Sequence, residues 1–285
     1  MTPRRIGLLH PGSMGAQLGK ILRAGGHEVK YCRAERSPRT IQRAQEADLR
    51  PVNDLEDLCE GTEILLSLCP PEAALDVAQN VVTAGFTGLY VDANAVNPER
   101  MGVISSLVTK AGGSIVDGCL IGPVPTRPGT TRLYLAGATH LTDEISVLFA
   151  SSGLDVVVLD GGVGAASALK IAHSSFAKAS RVLAALAHAL AAEYGVQQAL
   201  TGEARRRSRP ALAEPDFFAT VAARAWRWAP ELAQAGEAYR TVGLPDTMLR
   251  GAEELLRTWG EHKDIEHAPL DQLLRELRTD QQGGA

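Results

Sequence analysis

The chain has little net charge for its size. Its 29 Lys and Arg residues nearly balance its 33 Asp and Glu residues, which leaves a net charge of −4 and a sequence pI near 6.0. This balance excludes the basic surface that non-specific binding to nucleic acid or to anionic lipid requires. The single basic cluster, Arg205 to Arg209, is short and contains no aromatic residue, which favours a solvated helix end.

Membrane, targeting and metal signals are also missing. No stretch of about 18 uncharged residues occurs, and Met1 to Arg5 leads straight into a strand pattern without an apolar leader. The cysteines are far apart, with no CxxC pair and no histidine at ligand spacing, so we expect no metal site. They are Cys32, Cys59, Cys69 and Cys119. We therefore expect a cytoplasmic protein with reduced thiols.

Strand and helix patterns alternate up to about residue 160. This alternation predicts an α/β domain over residues 1–161: a Rossmann-type, doubly wound, mostly parallel sheet with helices on both faces. The predicted strands are Ile6 to Leu9, Val29 to Cys32, Ile64 to Leu68, Leu89 to Asp92, Ser114 to Leu120, Arg132 to Ala136 and Val156 to Leu159. The predicted helices are Gly12 to Ala24, Pro38 to Ala47, Glu72 to Ala84, Pro98 to Ala111 and Thr142 to Ser151.

Strand patterns end at Gly161. From Ala165 to about Tyr194 the chain is dominated by Ala, Leu, Ile and Val, which predicts one long helix. At ~1.5 Å per residue, roughly 30 residues reach about 45 Å, a length that suits a helix between domains or subunits. Further helical patterns predict an all-α domain over residues 162–285, with a frayed tail from Asp280.

A glycine-containing turn follows the first predicted strand. Gly12 would let the main chain approach a pyrophosphate, and Gly15 would let the next helix pack on the strand. The helix start offers free N–H groups and a favourable dipole to an anion. The usual first glycine of G-x-G-x-x-G is a histidine here, which weakens the motif taken alone. The expected dinucleotide contacts in this turn are His10, Pro11, Gly12, Ser13 and Met14, and His10 either packs or reaches a phosphate or ribose.

The tip of the second predicted strand lacks the acidic residue that would bond an unmodified ribose 2′-hydroxyl. Arg33 stands there, followed by Arg36 and Ser37. Guanidinium groups suit a 2′-phosphate, so we predict NADPH over NADH. Glu35 is discordant with this prediction, and the alternative is a solvated loop of surface arginines.

Ligands of a doubly wound sheet lie beyond the carboxyl ends of its strands. Two loops in such positions are expected to contact the cofactor, Leu68-Cys69-Pro70 and the segment around Asn94. The amide of Asn94 could serve a ribose or a carboxamide, or it could simply form a turn.

Lys170 lies within the first turns of the long helix, among apolar neighbours. Such a lysine is partly desolvated, which disfavours its charged form and favours acid/base catalysis; the alternative is a side chain whose stem covers apolar surface. His173 and Ser174 share its helix face and could line the same pocket, although a lone histidine here more often packs. Trp226 and Trp228 cannot share one face, so one could wall the pocket while the other packs in the core.

These features together resemble the β-hydroxyacid dehydrogenase superfamily, which includes 6-phosphogluconate and 3-hydroxyisobutyrate dehydrogenases. The likeness runs from the turn at 9–15 through the Gly129-Thr130 turn to the lysine helix. The segments 164–170 and 225–228 are similar to a narrower group of oxidoreductases whose C-terminal domain is known only as a domain of unknown function. The resemblance implies that Lys170 holds the substrate oxygen and donates a proton as hydride leaves the nicotinamide.

The chain departs from this family at the substrate pocket. The family has Asp-Ala-Pro-Val-Ser-Gly-Gly where residues 117–123 are Asp-Gly-Cys-Leu-Ile-Gly-Pro. The serine that would hold a substrate carboxylate is therefore Ile121, and the family's asparagine one turn after the lysine is Ser174. Both changes predict a substrate more apolar than a small 3-hydroxy acid, in a pocket that includes Ile121, Gly122 and Pro123.

Three functions stay open at this point. The first is an NADPH-dependent oxidoreductase acting on an alcohol/carbonyl pair, with Lys170 as general acid/base. Imine reductases share the architecture and would reduce a cyclic C=N, but they usually carry Asp or Tyr at the lysine position. The third is a non-catalytic nucleotide sensor, which an intact proton donor disfavours. The family further implies a homodimer whose partner subunit closes the pocket.

Overall fold

The computed structural model describes residues 2–94, 96–150, 152–206, 217–241 and 243–277. The chain divides into two compact units, Met1–Phe176 and Ala177–Ala285. This division lies inside the long helix, whereas the predicted boundary at 161/162 follows the change from strands to helices.

The first unit is built on an eight-stranded sheet in the order β3-β2-β1-β4-β5-β6-β7-β8. Every neighbouring pair is parallel except β6 and β7, which are antiparallel. The strands are β1 (Arg5–Leu8), β2 (Glu28–Cys32), β3 (Arg50–Val52), β4 (Ile64–Ser67), β5 (Leu89–Asp92), β6 (Ser114–Ile121), β7 (Arg132–Ala136) and β8 (Asp155–Val158). The predicted Rossmann-type, doubly wound fold is confirmed.

Helices cover both faces of the sheet. They are α1 (Ser13–Ala24), α2 (Pro38–Glu46), α3 (Leu55–Cys59), α4 (Ala74–Thr83), α5 (Pro98–Lys110) and α6 (Thr139–Phe149). One buried cluster joins α1, α2 and α6 to the sheet through residues such as Leu22, Ala44 and Phe149. A second cluster joins α3, α4 and α5 to the opposite face through residues such as Leu58 and Ile104.

Side-chain caps fix the starts of three of these helices. The backbone N–H of Thr40 donates to the Ser37 hydroxyl, and Asp54 and Asn97 accept equivalent bonds at the starts of α3 and α5. Each cap satisfies one of the backbone donors that a helix start leaves free. Ser37, which the sequence predicts at the cofactor site, therefore caps α2.

The sequence prediction missed β3 and α3. Strand β3 has three residues, lies at the sheet edge and contains Pro51, so it lacks the apolar run of a central strand. The predicted start of α6 was also wrong: the helix begins at Thr139 rather than Thr142. The hydroxyl of Thr142 donates to the Thr139 carbonyl oxygen within the first turn, so Thr142 is not the cap.

The long helix α7 (Ala165–Glu193) confirms the predicted run from Ala165 to about Tyr194. It is followed by α8 (Gln197–Arg206), α9 (Phe217–Thr241), α10 (Thr247–Arg257) and α11 (Leu270–Glu276). The described residues after β8 contain no further strand. Ala225, Leu256 and Trp259 form the centre of the core of the second unit, and the Trp259 indole donates to the Leu273 carbonyl oxygen at 3.1 Å.

None of the helices in the described ranges combines the length and apolarity needed to cross a membrane. Arg205 and Arg206 are exposed in the last turn of α8, while 207–209 lie outside the described residues. The tail from Asp280 also lies outside them.

Candidate active site

The turn between β1 and α1 is shaped by two glycines. A Cβ atom on Gly15 would collide with the His10 carbonyl oxygen, so only glycine allows α1 to pack this closely on the turn. A Cβ on Gly12 would meet no described protein atom within 4 Å. Gly12 therefore borders open space at the start of α1, and a phosphate group there could approach the main chain.

The start of α1 offers backbone donors to an anion. The helix begins at Ser13, and among the described residues no side chain caps it and no acidic residue stands in its first turn. The Gly12 N–H donates to the His10 carbonyl oxygen at 2.9 Å, which tightens the turn before the helix. The uncapped N–H groups and the helix dipole fit the pyrophosphate of a dinucleotide.

A cavity of about 470 Å³ opens beside this turn at the end of β2. Arg36 helps to line it, with its guanidinium donating to the carbonyl oxygens of Cys32 at 3.3 Å and Leu9 at 3.1 Å. Its remaining lining residues are Leu9, His10, Cys32, Ala34, Glu35, Asp54, Leu55, Glu56, Val77, Asn80 and Thr83. The size and position of the cavity fit the adenosine half of a dinucleotide.

His10 is half-buried at the wall of this cavity. Burial, and to a lesser extent the Arg36 guanidinium, lowers the pKa of His10 to about 4. Its Nδ1 atom is buried and has no partner among the described residues. A buried polar atom without a hydrogen-bond partner destabilises the folded protein. A ligand hydroxyl or phosphate that bonds to this atom would therefore be favourable.

Arg33 lies at the predicted strand tip but points to solvent. Its side chain is exposed and is not part of the cavity lining, while its backbone N–H donates to the Val52 carbonyl oxygen at 2.9 Å. Glu35, the discordant residue, does line the cavity and has a positive φ of 56°. The cavity thus has Arg36 on its wall and Arg33 outside it.

The loops after β4 and β5 are tied together by Asn94. Its Oδ1 atom accepts the Cys69 backbone N–H at 2.5 Å, and its Nδ2 atom donates to the Ser67 hydroxyl at 3.0 Å. Asn94 is buried and joins the two loops, and its predicted contact with a ribose or a carboxamide stays a prediction. In the loop after β4, Leu68 packs on the first core cluster and Pro70 precedes a short 3₁₀ helix. Burial raises the pKa of the Cys69 thiol in this loop to about 11.

Asp117 connects β6 to the start of α7. The Asp117 carboxylate accepts the Gly164 N–H at 2.8 Å, the Ser167 N–H at 3.0 Å and the Ser167 hydroxyl at 2.7 Å. Both side chains are fully buried. Burial raises the pKa of the Asp117 carboxyl, although these hydrogen bonds act in the opposite direction.

Lys170 follows one turn further along α7. Its Nζ atom donates to the Leu120 carbonyl oxygen, near the carboxyl end of β6, at 2.6 Å. Burial raises the pKa of the nearby Cys119 thiol to about 12. The Lys170 ammonium lowers this pKa and the Asp117 carboxylate raises it, both by less than burial does. The lysine is half-buried, so part of it stays accessible to solvent.

The other predicted pocket residues divide between buried and exposed positions. Ile121 packs with Cys119 and Tyr134 in a small apolar cluster, whereas Gly122 and Pro123 are exposed. Gly122 has a φ of 137°, and a Cβ there would press on the Thr130 carbonyl oxygen at 2.5 Å, so the turn requires glycine. His173 is exposed on α7, and the hydroxyl of half-buried Ser174 donates to the Ile171 carbonyl oxygen at 3.4 Å.

The two tryptophans of α9 lie in the second unit. Trp228 packs against its core, while Trp226 is 46% exposed and carries the Lys263 ammonium at 4.4 Å from its ring centroid. Trp228 is thus the residue that packs, and the pocket role of Trp226 stays a prediction. Within the described ranges no three acidic, histidine or cysteine residues group as a metal site would require.

The residues that sequence reasoning missed are buried and polar. Asp92, Asp117 and Ser167 all received no role, yet each has a side chain that is fully buried at the carboxyl end of the sheet or at the start of α7. A signal was present for the two aspartates, because each lies within an apolar strand pattern and a buried carboxylate there needs partners.

Comparisons with known proteins agree with this architecture. Residues 191–259 match the family described as "domain of unknown function (DUF1932)". Over 174 residues the chain is 28% identical to the "uncharacterized 28.5 kDa protein in 7S RNA 5′ region" of Methanothermus fervidus, a match that covers 61% of this chain and 65% of that protein.

Solved structures extend the likeness to nearly the full length. A conserved protein of unknown function, described as structurally similar to 3-hydroxyacid dehydrogenases, has 25% identity and a TM-score of 0.58, covering 90% of this chain and 98% of that chain. The imine reductase from Myxococcus stipitatus in complex with NADP⁺ has 15% identity and a TM-score of 0.74, covering 96% of this chain and 100% of that chain. Its V8 variant in complex with NAD⁺ has the same identity and TM-score, covering 98% and 100%.

These matches support the resemblance to the β-hydroxyacid dehydrogenase superfamily, with a C-terminal domain of unknown function. The imine reductase structures, at 15% identity, show that the fold is shared.

Proposed function

We propose that the protein is an NADPH-dependent oxidoreductase that moves hydride between the nicotinamide and an alcohol/carbonyl substrate. The observation that carries this proposal is the position of Lys170 relative to the dinucleotide turn. Strands β1, β4, β5 and β6 are parallel neighbours, so their carboxyl ends share one edge of the sheet. The turn at Gly12 and the Lys170 ammonium, held by the end of β6, belong to that same edge.

Lys170 would act as the general acid/base. The bound cofactor supplies or accepts the hydride, which is the one step that the side chains cannot perform. The ammonium group donates a hydrogen bond to the substrate oxygen and transfers a proton to it during reduction; oxidation is the reverse. The Leu120 carbonyl oxygen orients the ammonium without competing for its charge, because a neutral acceptor leaves the lysine able to stabilise a developing alkoxide.

The substrate side of the site favours an apolar carbonyl compound. Ile121 and Tyr134 pack on buried Cys119 in an apolar cluster of β6 and β7, and the sequence offers no serine at 121 to hold a carboxylate. Desolvating a substrate carboxylate without a partner is unfavourable. We therefore expect ketones or aldehydes with apolar substituents to be preferred over small 3-hydroxy acids.

The preference for NADPH is part of the proposal. Arg33 is exposed at the end of β2, where its guanidinium could reach a 2′-phosphate, and Arg36 adds a second positive charge nearby. Glu35 on the cavity wall opposes a 2′-phosphate electrostatically. We propose that the two guanidinium groups outweigh this single carboxylate.

Reduction of a cyclic imine is the second candidate. It is favoured by the near-complete fold match to imine reductases and by the apolar cluster around Ile121. A lysine can donate a proton to a C=N nitrogen as it does to a carbonyl oxygen.

We further propose a homodimer in the cytoplasm. In the second unit an apolar groove of about 580 Å³, lined by Leu190, Val196 and Leu200 among others, offers a surface for a second copy. The four free cysteines suit a reducing compartment. A monomer at micromolar concentration in light scattering would contradict the dimer.

The function is tested with a panel of apolar ketones, aldehydes and cyclic imines, followed by NADPH absorbance. We expect turnover of carbonyl compounds, and we expect Lys170→Ala to lower kcat by roughly 100-fold or more while the Kd for NADPH changes little. The matched control is Lys110→Ala, which removes an exposed lysine at the end of α5. Full activity of Lys170→Ala would overturn the mechanism, and NADPH binding without turnover of any compound would favour a nucleotide sensor.

A further inference from the structure

The start of α7 is held by a single buried carboxylate. Asp117 accepts the N–H groups of Gly164 and Ser167 and also the Ser167 hydroxyl, at 2.7 to 3.0 Å. Gly164 has a φ of 105°, and its carbonyl oxygen accepts the Ala168 N–H at 2.8 Å, so it is the residue from which the helix starts. A helix start leaves its first backbone N–H groups without partners inside the helix. Here two of them donate to one side chain of β6, which fixes the first turn of α7 against that strand.

Lys170 makes the next attachment between the same two elements. Ser167 and Lys170 are three residues apart and therefore lie on one face of α7. Their partners, Asp117 and Leu120, are also three residues apart on β6, so each bond joins residues separated by 50 positions. The helix is thus attached to the strand at two successive points, and only the second point contains the proposed proton donor.

The two attachments differ in strength. Asp117 and Ser167 are fully buried, and three charge-assisted bonds in a dry environment hold their geometry firmly. Lys170 is half-buried, and the end of its long side chain donates to the Leu120 carbonyl oxygen. The rotation of α7 about its axis, and with it the position of the Lys170 ammonium, is therefore set by the buried attachment.

We propose that Asp117 and Ser167 are positioning residues for Lys170. They contact neither substrate nor cofactor in this proposal and act by fixing the helical turn that carries the lysine. The expected effect on turnover rests on the proposed function. The expected effect on the position of the Lys170 ammonium does not.

The test uses the reactivity of Lys170 toward acetic anhydride in the full-length protein, measured by mass spectrometry of the peptide that contains it. We expect Ser167→Ala to raise the acetylation rate severalfold, because the ammonium leaves the Leu120 carbonyl oxygen more often. Ser167→Thr, which keeps the hydroxyl, should retain most of the protection. The matched control is Ser180→Ala, an exposed serine on the same helix whose hydroxyl donates only to the Ala177 carbonyl oxygen at 3.4 Å in the described structure.

A folded Ser167→Ala protein with an unchanged Lys170 acetylation rate would overturn the proposal. Asp117→Asn should act in the same direction and more strongly, and Ser167→Ala keeps the test decisive if the Asn variant does not fold. The internal reference is Lys110, whose rate should be equal in all variants.

Turnover gives an independent readout. On whichever panel compound is reduced, Ser167→Ala should lower kcat by roughly tenfold and leave KM for NADPH unchanged, and in the Lys170→Ala background it should have no further effect. A full additional loss in that background would contradict positioning. If Lys170→Ala itself keeps full activity, the proposed function fails, and the acetylation result still decides whether Asp117 and Ser167 position the lysine.

Discussion

Asp92 and Asp117 lie directly opposite each other on the neighbouring parallel strands β5 and β6, and both side chains are fully buried. Asp117 is satisfied by three donors, whereas Asp92 Oδ1 accepts the Asn94 N–H at 3.0 Å and Asp92 Oδ2 has no partner among the described residues. Burial, with a smaller contribution from Asp117, raises the pKa of Asp92 from 3.8 to about 6. One of the two carboxyls therefore holds a proton at mildly acidic pH.

This pair predicts a specific pH dependence of stability. Because the folded state binds the Asp92 proton more tightly than the unfolded chain, the stability that it contributes is full below its ordinary pKa of 3.8 and is lost as pH rises through about 6. Asp92→Asn removes the cost of ionising this buried carboxyl group. The variant should therefore be more stable than the natural protein at about pH 8, by on the order of 2 kcal/mol. The difference should be smaller at about pH 5.

Thermal unfolding at the two pH values measures this effect. Asp143→Asn, which neutralises an exposed carboxylate on α6, is the control and should change stability little at either pH. An Asp92→Asn protein that is less stable than the natural one at about pH 8 would contradict the prediction.

The two glycines of the dinucleotide turn should separate folding from cofactor binding. Gly12→Ala adds a methyl group to open space, so we expect the Tm to stay unchanged and the Kd for NADPH to rise roughly tenfold or more, as the methyl group occupies room needed by the pyrophosphate. Gly15→Ala forces α1 away from the His10 carbonyl oxygen and should lower both Tm and affinity. Thermal unfolding and NADPH fluorescence titration provide the two measurements. Normal NADPH affinity of Gly12→Ala would show that the pyrophosphate does not lie there.

His10 should contribute to stability with the opposite pH dependence to Asp92. Its folded pKa of about 4 lies below the ordinary 6.5, so its contribution is full above pH 6.5 and is lost as pH falls toward 4. His10→Gln should flatten the acid side of the stability profile, while His140→Gln, at an exposed position on α6, should not. If the unpartnered Nδ1 atom binds the cofactor, His10→Gly also weakens NADPH binding; unchanged affinity would assign the ring to packing alone.

Cofactor preference should depend on Arg33 and Arg36 in different ways. Arg33→Ser should reduce the preference for NADPH over NADH roughly tenfold, because it removes a charge-assisted contact available only to the 2′-phosphate. Arg36→Ser should also weaken NADH binding, since the Arg36 guanidinium joins the ends of β1 and β2 through the Leu9 and Cys32 carbonyl oxygens. The ratio of kcat/KM for the two cofactors measures both effects, with Arg39→Ser on exposed α2 as the control. A natural protein that prefers NADH would contradict the assignment of Arg33.

The sequence was sufficient for the elements whose signals are local. Buried strands such as β4 and β5 are short apolar runs, and α7 is a long one, so their positions follow from composition and period alone. The sequence did not predict strand β3, because three residues that include a proline do not form an apolar run. Boundaries such as the start of α6 depend on which hydroxyl bonds within the first turn, and residue type alone does not decide that.

The candidate site was predictable only in part, because its partners are distant in sequence or are main-chain atoms. Lys170 could be singled out, but its acceptor is the carbonyl oxygen of Leu120, which any residue would supply. The side chain of Asn94 allowed two interpretations, and its bonds to Ser67 and Cys69 involve a loop about 25 residues away, which the sequence around residue 94 does not specify. Asp117 and Ser167 gain a role only when β6 and α7 are adjacent, and no local pattern encodes that adjacency.

The main-chain partner of Lys170 has a consequence for altering what the protein acts on. The half-buried side chain of Ile121 can be exchanged while the carbonyl oxygen at 120 stays in place, since strand β6 is fixed by its ladders to β5 and β7. Diversity at position 121 would change the apolar surface beside Leu120 while the acceptor of the ammonium stays constant. The strand thus separates the part of the site that can vary from the part that must not, which makes it a suitable place to begin directed evolution toward new substrates.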